Sequence, residues 1–189
     1  SIYGESKTIP TPENDNFPVQ TSMYGASKLA CEGLIQAYSE AYGIKSYIFR
    51  FVSILGPRYT HGHIIDFFKK LKKNKNRLKI LGDGNQKKSY LHVKDCVSAI
   101  LHVINKNINN KVNIYNLGTD ETITIKQSAK IICNYLNLKP KIYYTGGIRG
   151  WIGDVPVIKL KTQKIKSTGW KPKYSIKNSI LDTLKYLQR

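Results

Sequence analysis

The residues best suited to chemistry are Tyr24 and Lys28, in the segment Ser22-Met23-Tyr24-Gly25-Ala26-Ser27-Lys28. A spacing of four places both side chains on one face of a helix, one turn apart. An ammonium group at that distance favours the phenolate form of a tyrosine, and a phenolate can take the proton of a hydroxyl group. The spacing alone is weak evidence, because an ordinary surface pair shows it too. Three other pairs share it: Tyr3/Lys7, Tyr90/Lys94 and Tyr135/Lys139.

The helices and strands that position this pair can be predicted from capping residues, helix-breaking residues and the spacing of apolar residues. Ser22 is a plausible N-cap of a helix that runs to about Tyr42 and ends at Gly43. A β-branched and aromatic run over 47–52 predicts a buried strand, and Ile2-Tyr3 is typical of a strand end. Further strands are predicted at 78–81, 112–117 and 141–144. Further helices are predicted at 64–71, 93–104, from Thr122 or Thr124 to 136, at 162–167 and at 175–187. This alternation of strands and helices predicts an α/β fold.

Composition is that of a soluble globular protein, with 41% hydrophobic and 23% charged residues. No apolar run approaches the roughly 18 residues that span a bilayer, and no secretory signal is visible, so we expect a cytoplasmic protein. The three cysteines Cys31, Cys96 and Cys133 and the four histidines are scattered. Their spacing predicts apolar helix cysteines in a reducing compartment and no metal site.

The formal net charge of +19 raises the possibility of nucleic-acid binding. Lysines occur in nearly every segment, and only 69–75 is dense, at the end of an amphipathic helix. No nucleic-acid motif accompanies the charge, so a lysine-rich composition with solvated side chains is the favoured interpretation. A diffuse positive field would also attract a diphosphate substrate.

The residues around Tyr24 favour a functional role for the Tyr24/Lys28 pair over an ordinary surface pair. A loop with Pro10, Pro12 and Pro18 leads into Ser22, and small residues follow Tyr24, where a bulky cofactor could approach closely. The segment resembles the YxxxK signature of extended short-chain dehydrogenases, in particular NAD-dependent nucleotide-sugar epimerases and dehydratases of the UDP-glucose 4-epimerase type. Other matches follow in family order: Ile2-Tyr3-Gly4-Glu5, Arg50-Phe51, Gly56-Pro57-Arg58, Ile80-Leu81-Gly82-Asp83-Gly84-Asn85-Gln86, Tyr90-Leu91-His92-Val93-Lys94-Asp95, Asn116-Leu117-Gly118 and Gly169-Trp170-Lys171-Pro172.

The resemblance covers essentially the whole chain and implies part of a Rossmann-type doubly wound parallel sheet with a smaller α/β substrate-binding lobe. Residues 1–60 would be the end of the NAD-binding domain, and 61–189 mainly the lobe, with 85–120 returning to the sheet. The N-terminal half, with the family's catalytic Ser or Thr and its glycine-rich phosphate cradle, is expected to be missing. The glycines at 146–150 are interpreted as a different loop, and the chain alone is expected to be inactive.

For the cofactor NAD, the resemblance implies that Tyr24 is the catalytic base, that Lys28 binds the nicotinamide ribose and that Phe51 lies at the cofactor. For the substrate, a nucleoside-diphosphate sugar, it implies that Lys88 and Arg149 bind phosphate and Asp154 the ribose hydroxyls. Their alternatives are a solvated lysine and a surface ion pair. Four further substrate contacts are implied: Ser53 at the sugar, His63 and Ile64 at the nucleotide, and Leu81 at the base. His63 could instead cap its helix, Leu81 could be a core residue, and relatives usually have Asn in place of Ser53.

The choice between the reactions of this family depends on position 1. Ser1 stands where dehydratases and decarboxylases of the family usually carry Glu. Because Ser supplies no titratable acid, 4-epimerisation of a UDP-sugar is favoured. A dehydratase or reductase of the same family is the first alternative, and a basic nucleic-acid-binding module is the second. Relatives dimerise through the helix that begins after Ser22, so a homodimer is expected. Its residues Leu34, Ile35 and Tyr38 serve either that interface or the core.

Overall fold

The computed structural model describes residues 2–16, 19–106, 108–150 and 154–189. Its helices are α1 (Met23–Tyr42), α2 (His63–Lys73), α3 (Val93–Ile104), α4 (Ile125–Tyr135), α5 (Gln163–Ser167) and α6 (Ile176–Leu187). Its strands are β1 (Ser46–Phe51), β2 (Ser53–Leu55), β3 (Arg77–Ile80), β4 (Lys87–Lys88), β5 (Tyr90–His92), β6 (Val112–Leu117), β7 (Ile123–Thr124), β8 (Lys141–Tyr144) and β9 (Val157–Ile158).

The helices begin and end where their capping residues predict. The Ser22 hydroxyl accepts a hydrogen bond of 3.0 Å from the Gly25 N–H, and α1 ends at Gly43, whose φ of 66° lies in the left-handed region. Thr124, not Thr122, caps α4 through a capping box with Gln127. Local side-chain chemistry therefore fixes the N-terminus of the helix that carries Tyr24.

Parallel strand pairs form the framework. β1 runs beside β6 from Ser46↔Val112 to Phe51↔Leu117, and after a break at Val52 the chain continues as β2 beside β5. β3 pairs with β8, also in parallel, whereas β4 lies between antiparallel β7 and parallel β9. This mixed α/β architecture with parallel sheets confirms the predicted fold class.

Two groups of buried apolar side chains hold these elements together. The first lies around β1, β6, α3 and α5 and includes Val52, Leu117 and Trp170. The second lies around α2, β3, α4 and α6 and includes Ile64 and Leu184. The domain boundary at residue 60 stays a prediction, and the structure adds that residues 160–170 pack in the first group.

Three expectations from the sequence need correction. Ile2 and Tyr3 lie in a turn and not in a strand, because the Tyr3 hydroxyl is drawn inward to donate a 2.8 Å hydrogen bond to Asn116 Oδ1. Cys31 is exposed on α1, although Cys96 and Cys133 are buried. Five short strands, β2, β4, β5, β7 and β9, were not predicted.

None of the helices in the described part of the chain is long and apolar enough to cross a bilayer. Within the same residues, no three His, Cys, Asp or Glu side chains come together in a way that could hold a metal ion.

Candidate functional site

Tyr24 and Lys28 occupy the first two turns of α1, on the same face. The Lys28 Nζ lies 5.6 Å from the centroid of the Tyr24 ring, and the Tyr24 side chain is 62% exposed. The pair is therefore neither splayed apart nor enclosed in an apolar core. A phenol held at a helix N-terminus beside an ammonium group is open to a ligand and suited to proton transfer.

The helix places this pair at the carboxyl end of β1. Only Gly43, Ile44 and Lys45 connect α1 to β1, so the two elements run antiparallel and the start of α1 lies toward the end of β1. Phe51 and Ser53 are exposed there, on either side of buried Val52. The carboxyl ends of parallel strands are where α/β folds bind ligands.

These residues fit the nicotinamide end of a dinucleotide. An exposed phenol, an ammonium group and the half-exposed Phe51 ring offer a proton acceptor, a charged donor and an apolar surface. The spacing of Gly147, Gly150 and Gly153 after β8 does match the pattern GxxGxxG. Gly153 lies outside the described residues, and from Asp154 the chain continues in extended form into β9. A phosphate cradle opens a helix, and the described residues of this loop lead into none.

A second group of charged residues surrounds Asp154. The Lys88 Nζ lies 2.5 Å from Asp154 Oδ1 and also donates to the Val155 carbonyl, and both side chains of the pair are only 12% exposed. The other carboxylate oxygen of Asp154 accepts 2.9 Å from the Gly150 N–H. The solvated-lysine alternative for Lys88 is therefore wrong.

Arg149 lies in the same group but has different partners. It donates 2.6 Å to the Asp154 backbone carbonyl and forms an ion pair of 2.6 Å with Glu5. The hydrogen bond between them lowers the pKa of Glu5 and raises the pKa of Arg149, against a smaller opposing effect of desolvation. Arg149 therefore does lie in an exposed ion pair, as the alternative expected, but its partner is Glu5 and not the Asp154 carboxylate.

His63 lies beside this group at the start of α2. Its Nδ1 is 3.1 Å from the Tyr90 hydroxyl, and its buried Nε2 has no hydrogen-bond partner among the described residues. Burial, with a smaller effect from the Lys88 charge, lowers the pKa of His63 to about 4, so the ring is neutral near pH 7. No side chain caps α2, which excludes the capping alternative.

The remaining predicted contacts lie around this group. Leu81 is 47% exposed, so it is not a core residue, and it lies against Gly150. Ser53 is exposed at the start of β2, just after the end of β1, and is the register partner of Tyr90. Ile64 is fully buried in the second apolar group, so only its backbone is available to a ligand.

Comparison with known proteins gives the family. The sequence matches the NAD dependent epimerase/dehydratase family over residues 1–118, more than half of the chain. This chain belongs to that family. It is 31% identical to the putative UDP-glucose 4-epimerase of Methanocaldococcus jannaschii and 28% identical to the dTDP-D-glucose 4,6-dehydratase of Mus musculus, with 100% of this chain covered in both. It covers 60% of the first relative and 53% of the second.

A solved structure gives the same picture of the fold. The crystal structure of a UDP-galactose 4-epimerase superposes with a TM-score of 0.88 at 32% identity, over 99% of this chain and 60% of that one. The chain therefore spans about 60% of the length of these epimerases. The family is NAD-dependent and includes both epimerases and dehydratases.

Two residues of this family member were not singled out as site residues from its sequence. Glu5 binds Arg149 from 144 positions away, and Tyr90 orients His63. Both belong to the segments that carry the resemblance, so a signal for them was present. Their partners were not visible, because contacts over such distances depend on the complete fold.

Proposed function

We propose that this chain carries the substrate-binding part and the Tyr/Lys pair of an NAD-dependent enzyme that epimerises a UDP-sugar at C4. The exposed Tyr24–Lys28 pair at the carboxyl end of β1 is the observation that carries this proposal. The neighbouring charges, with their capacity for phosphate and ribose, support a nucleoside-diphosphate sugar as the substrate.

Each site residue has a role in the proposed reaction. Tyr24 takes the proton of the sugar 4-hydroxyl and returns it, while Lys28 holds the nicotinamide ribose beside Phe51. NAD, held there by Lys28 and Phe51, would supply the hydride acceptor and donor for C4 of the sugar. Enclosure by the lobe would protect the keto sugar from water in between.

The substrate side would hold the nucleotide through charge and hydrogen bonds. Lys88 and Arg149 bind the two phosphates, and the free His63 Nε2 faces an oxygen of the same group. Asp154 accepts from ribose hydroxyls, and Leu81 packs against the base. Ser53 and the backbone of Ile64 complete the sugar and nucleotide contacts.

The test is turnover of UDP-galactose by the full-length protein with NAD. Formation of UDP-glucose supports the proposal, and Tyr24→Phe should lower its rate by about two to four orders of magnitude, the usual contribution of a general base. Retention of full activity by Tyr24→Phe would remove the central assignment.

A 4,6-dehydratase is the second candidate, because a dehydratase matches the chain at 28% identity over its whole length. Ser1, which lies outside the described residues, argues against it, since a serine supplies no acid for the elimination. A stable 4-keto-6-deoxy product in the same assay would favour the dehydratase. Salt-sensitive RNA or DNA retention on a filter, without binding of nucleotide sugar, would instead favour the nucleic-acid module.

We also propose a homodimer of the full-length protein through α1. Leu34, Ile35 and Tyr38 are 62%, 42% and 59% exposed, so they are not core residues in the described part of the chain. A protein that elutes strictly as a monomer at micromolar concentration would contradict this interface.

A further inference from the structure

An ion pair between Glu32 and Arg50 joins α1 to β1. The Arg50 Nε lies 3.1 Å from both carboxylate oxygens of Glu32, and its Nη2 lies 2.7 Å from Oε2. The side chains are 12% and 11% exposed. Burial works to lower the pKa of Arg50, but hydrogen bonds to Glu32 and Tyr3 outweigh it and raise the pKa overall. The guanidinium group is therefore fully charged and held in a fixed fork.

Arg50 also holds the loop that leads to α1. Its Nη1 donates to the Tyr3 hydroxyl at 2.8 Å and to the Glu13 carbonyl at 2.9 Å. Tyr3 in turn donates to Asn116, and the Asn116 N–H donates 3.0 Å to the Glu13 carboxylate. One side chain on β1 thus fixes both the helix and the segment before it.

Little else in the described residues fastens α1 to the sheet. The buried residues of α1 are Gly25, Glu32 and Ser39, none of them a large apolar side chain. A groove of about 570 Å³ lies beside Glu32 and Arg50 and is lined partly by Ala26 and Ala30. Among the described residues, the buried contact between the middle of α1 and β1 is therefore the polar one at Glu32.

The ion pair lies about two helical turns from Tyr24 on the same helix. Tyr24, Lys28 and Glu32 are spaced by four, so they follow one another along α1 with a drift of about 40° at each step, and eight residues of helix span only about 12 Å. Because α1 is continuous from Met23 to Tyr42, a displacement of the helix at Glu32 also displaces Tyr24. We propose that Glu32 and Arg50 are positioning residues, which hold the Tyr24 hydroxyl at its working place through α1.

This inference rests on the proposed function, and a kinetic split in the full-length protein tests it. Glu32→Gln removes the counter-charge, and Glu32→Asp keeps the charge but shortens the reach by one methylene. Both are expected to lower kcat, by roughly 10- to 100-fold for Glu32→Gln, because misplacement by about 1 Å costs on that order. KM should change by less than about threefold, since neither residue touches the substrate. Arg50→Met should also lower kcat, and Arg50→Lys, which keeps the positive charge, should retain part of the kcat that Arg50→Met loses.

The chain offers a matched control in Glu40 and Lys111. This exposed pair, 3.1 Å apart, also joins α1 to the chain beside β6, at the far end of the helix from Tyr24. Glu40→Gln makes the same change in charge and should leave kcat unchanged. If Glu32→Gln and Glu32→Asp lower the melting temperature but keep kcat of the folded protein within about twofold, the pair is only structural and the inference is overturned.

A second readout does not depend on turnover. Fluorotyrosine placed at position 24 is observed by ¹⁹F NMR without NAD or sugar. We expect Glu32→Gln to shift or split the resonance and Glu40→Gln to leave it in place. If the unsubstituted protein shows no epimerase activity, the proposed function fails, and this spectrum alone decides the positioning inference. An unchanged resonance in Glu32→Gln then overturns it.

Discussion

At the scale of single residues, the charges of the candidate substrate site already have partners. Lys88 binds the Asp154 carboxylate and Arg149 binds Glu5. A diphosphate that binds these cations must therefore displace their carboxylate partners. Its net binding free energy is then smaller than two unpaired cations would provide. The exposed Arg149–Glu5 pair is weak and exchanges readily, whereas the shielded Lys88–Asp154 pair is the costlier one to open.

Replacing Lys88 by Met should weaken the binding of UDP to the full-length protein by about 10- to 100-fold. The variant loses a charge-assisted hydrogen bond worth about 1.5–3 kcal/mol and leaves Asp154 without its counter-charge. Titration calorimetry measures the change. Lys111→Met removes the same charge from an exposed pair and should bind UDP normally. Equal losses in both variants would mean that only the overall charge matters.

His63 should make stability depend on pH in a defined window. Its pKa is lowered to about 4 in the fold from 6.5, so the unfolded chain binds more protons between these values. Its contribution is present above pH 6.5 and is lost as the pH falls toward 4, by up to about 3 kcal/mol.

Urea unfolding of the 189-residue chain between pH 7 and pH 4 measures this loss. His63→Gln should flatten the curve, and His61→Gln, at an exposed ring, should not. Parallel curves for the native protein and His63→Gln would show that the ring already titrates normally in the fold.

Residue types at the site could be predicted, but not their partners. A basic residue at 88 and an acid at 154 follow from the family pattern, and the unusual Ser53 could be noted from the sequence. That Lys88 and Asp154 bind each other follows only from β4 lying beside β9. The pairing of Arg149 with Glu5 likewise depends on how the loop after β8 meets the first residues of the chain.

At the scale of elements, the helices were predictable and the shortest strands were not. Ser22, Gly43 and Ser175 carry local signals that need no tertiary context, and the predicted bounds agree with α1 and α6 to within a residue. Strands such as β4 and β9 have two residues each. Two residues show no alternation, so such strands exist only through their neighbours.

Replacing Gly33 in α1 and Gly43 at its C-cap by Ala should change the stability of the chain in opposite directions. Gly33 lies in the middle of the helix with no atom near an added Cβ, so Gly33→Ala should stabilise the 189-residue chain by about 0.5–1 kcal/mol. Gly43 has equal space but a φ of +66°, so Gly43→Ala should destabilise it by about 1 kcal/mol. Chemical denaturation of the two variants compares them directly. A gain in both would mean that the end of α1 relaxes out of the left-handed region.

At the scale of the whole molecule, 31 basic residues face only 12 acidic ones. Such an excess repels itself in the folded state. Raising NaCl from about 20 to about 200 mM should therefore increase the urea midpoint of the chain, because the screening length falls from about 20 Å to about 7 Å and the repulsion between distant lysines is screened. Sucrose of equal osmolarity should have a smaller effect. A lower midpoint in salt would show that ion pairs such as Glu32–Arg50 outweigh the repulsion.

The first apolar group draws its members from both ends of the chain. Tyr3 and Val52 pack in the same group as Leu160 and Trp170. During synthesis, a ribosome releases the early residues long before the late ones, and long-range contacts must wait for both. Val52, just after the strand on which α1 packs, therefore emerges before Leu160 and Trp170, which pack in the same group. We expect this part of the first apolar group to stay accessible to proteases and chaperones until residues 160–170 have been synthesised.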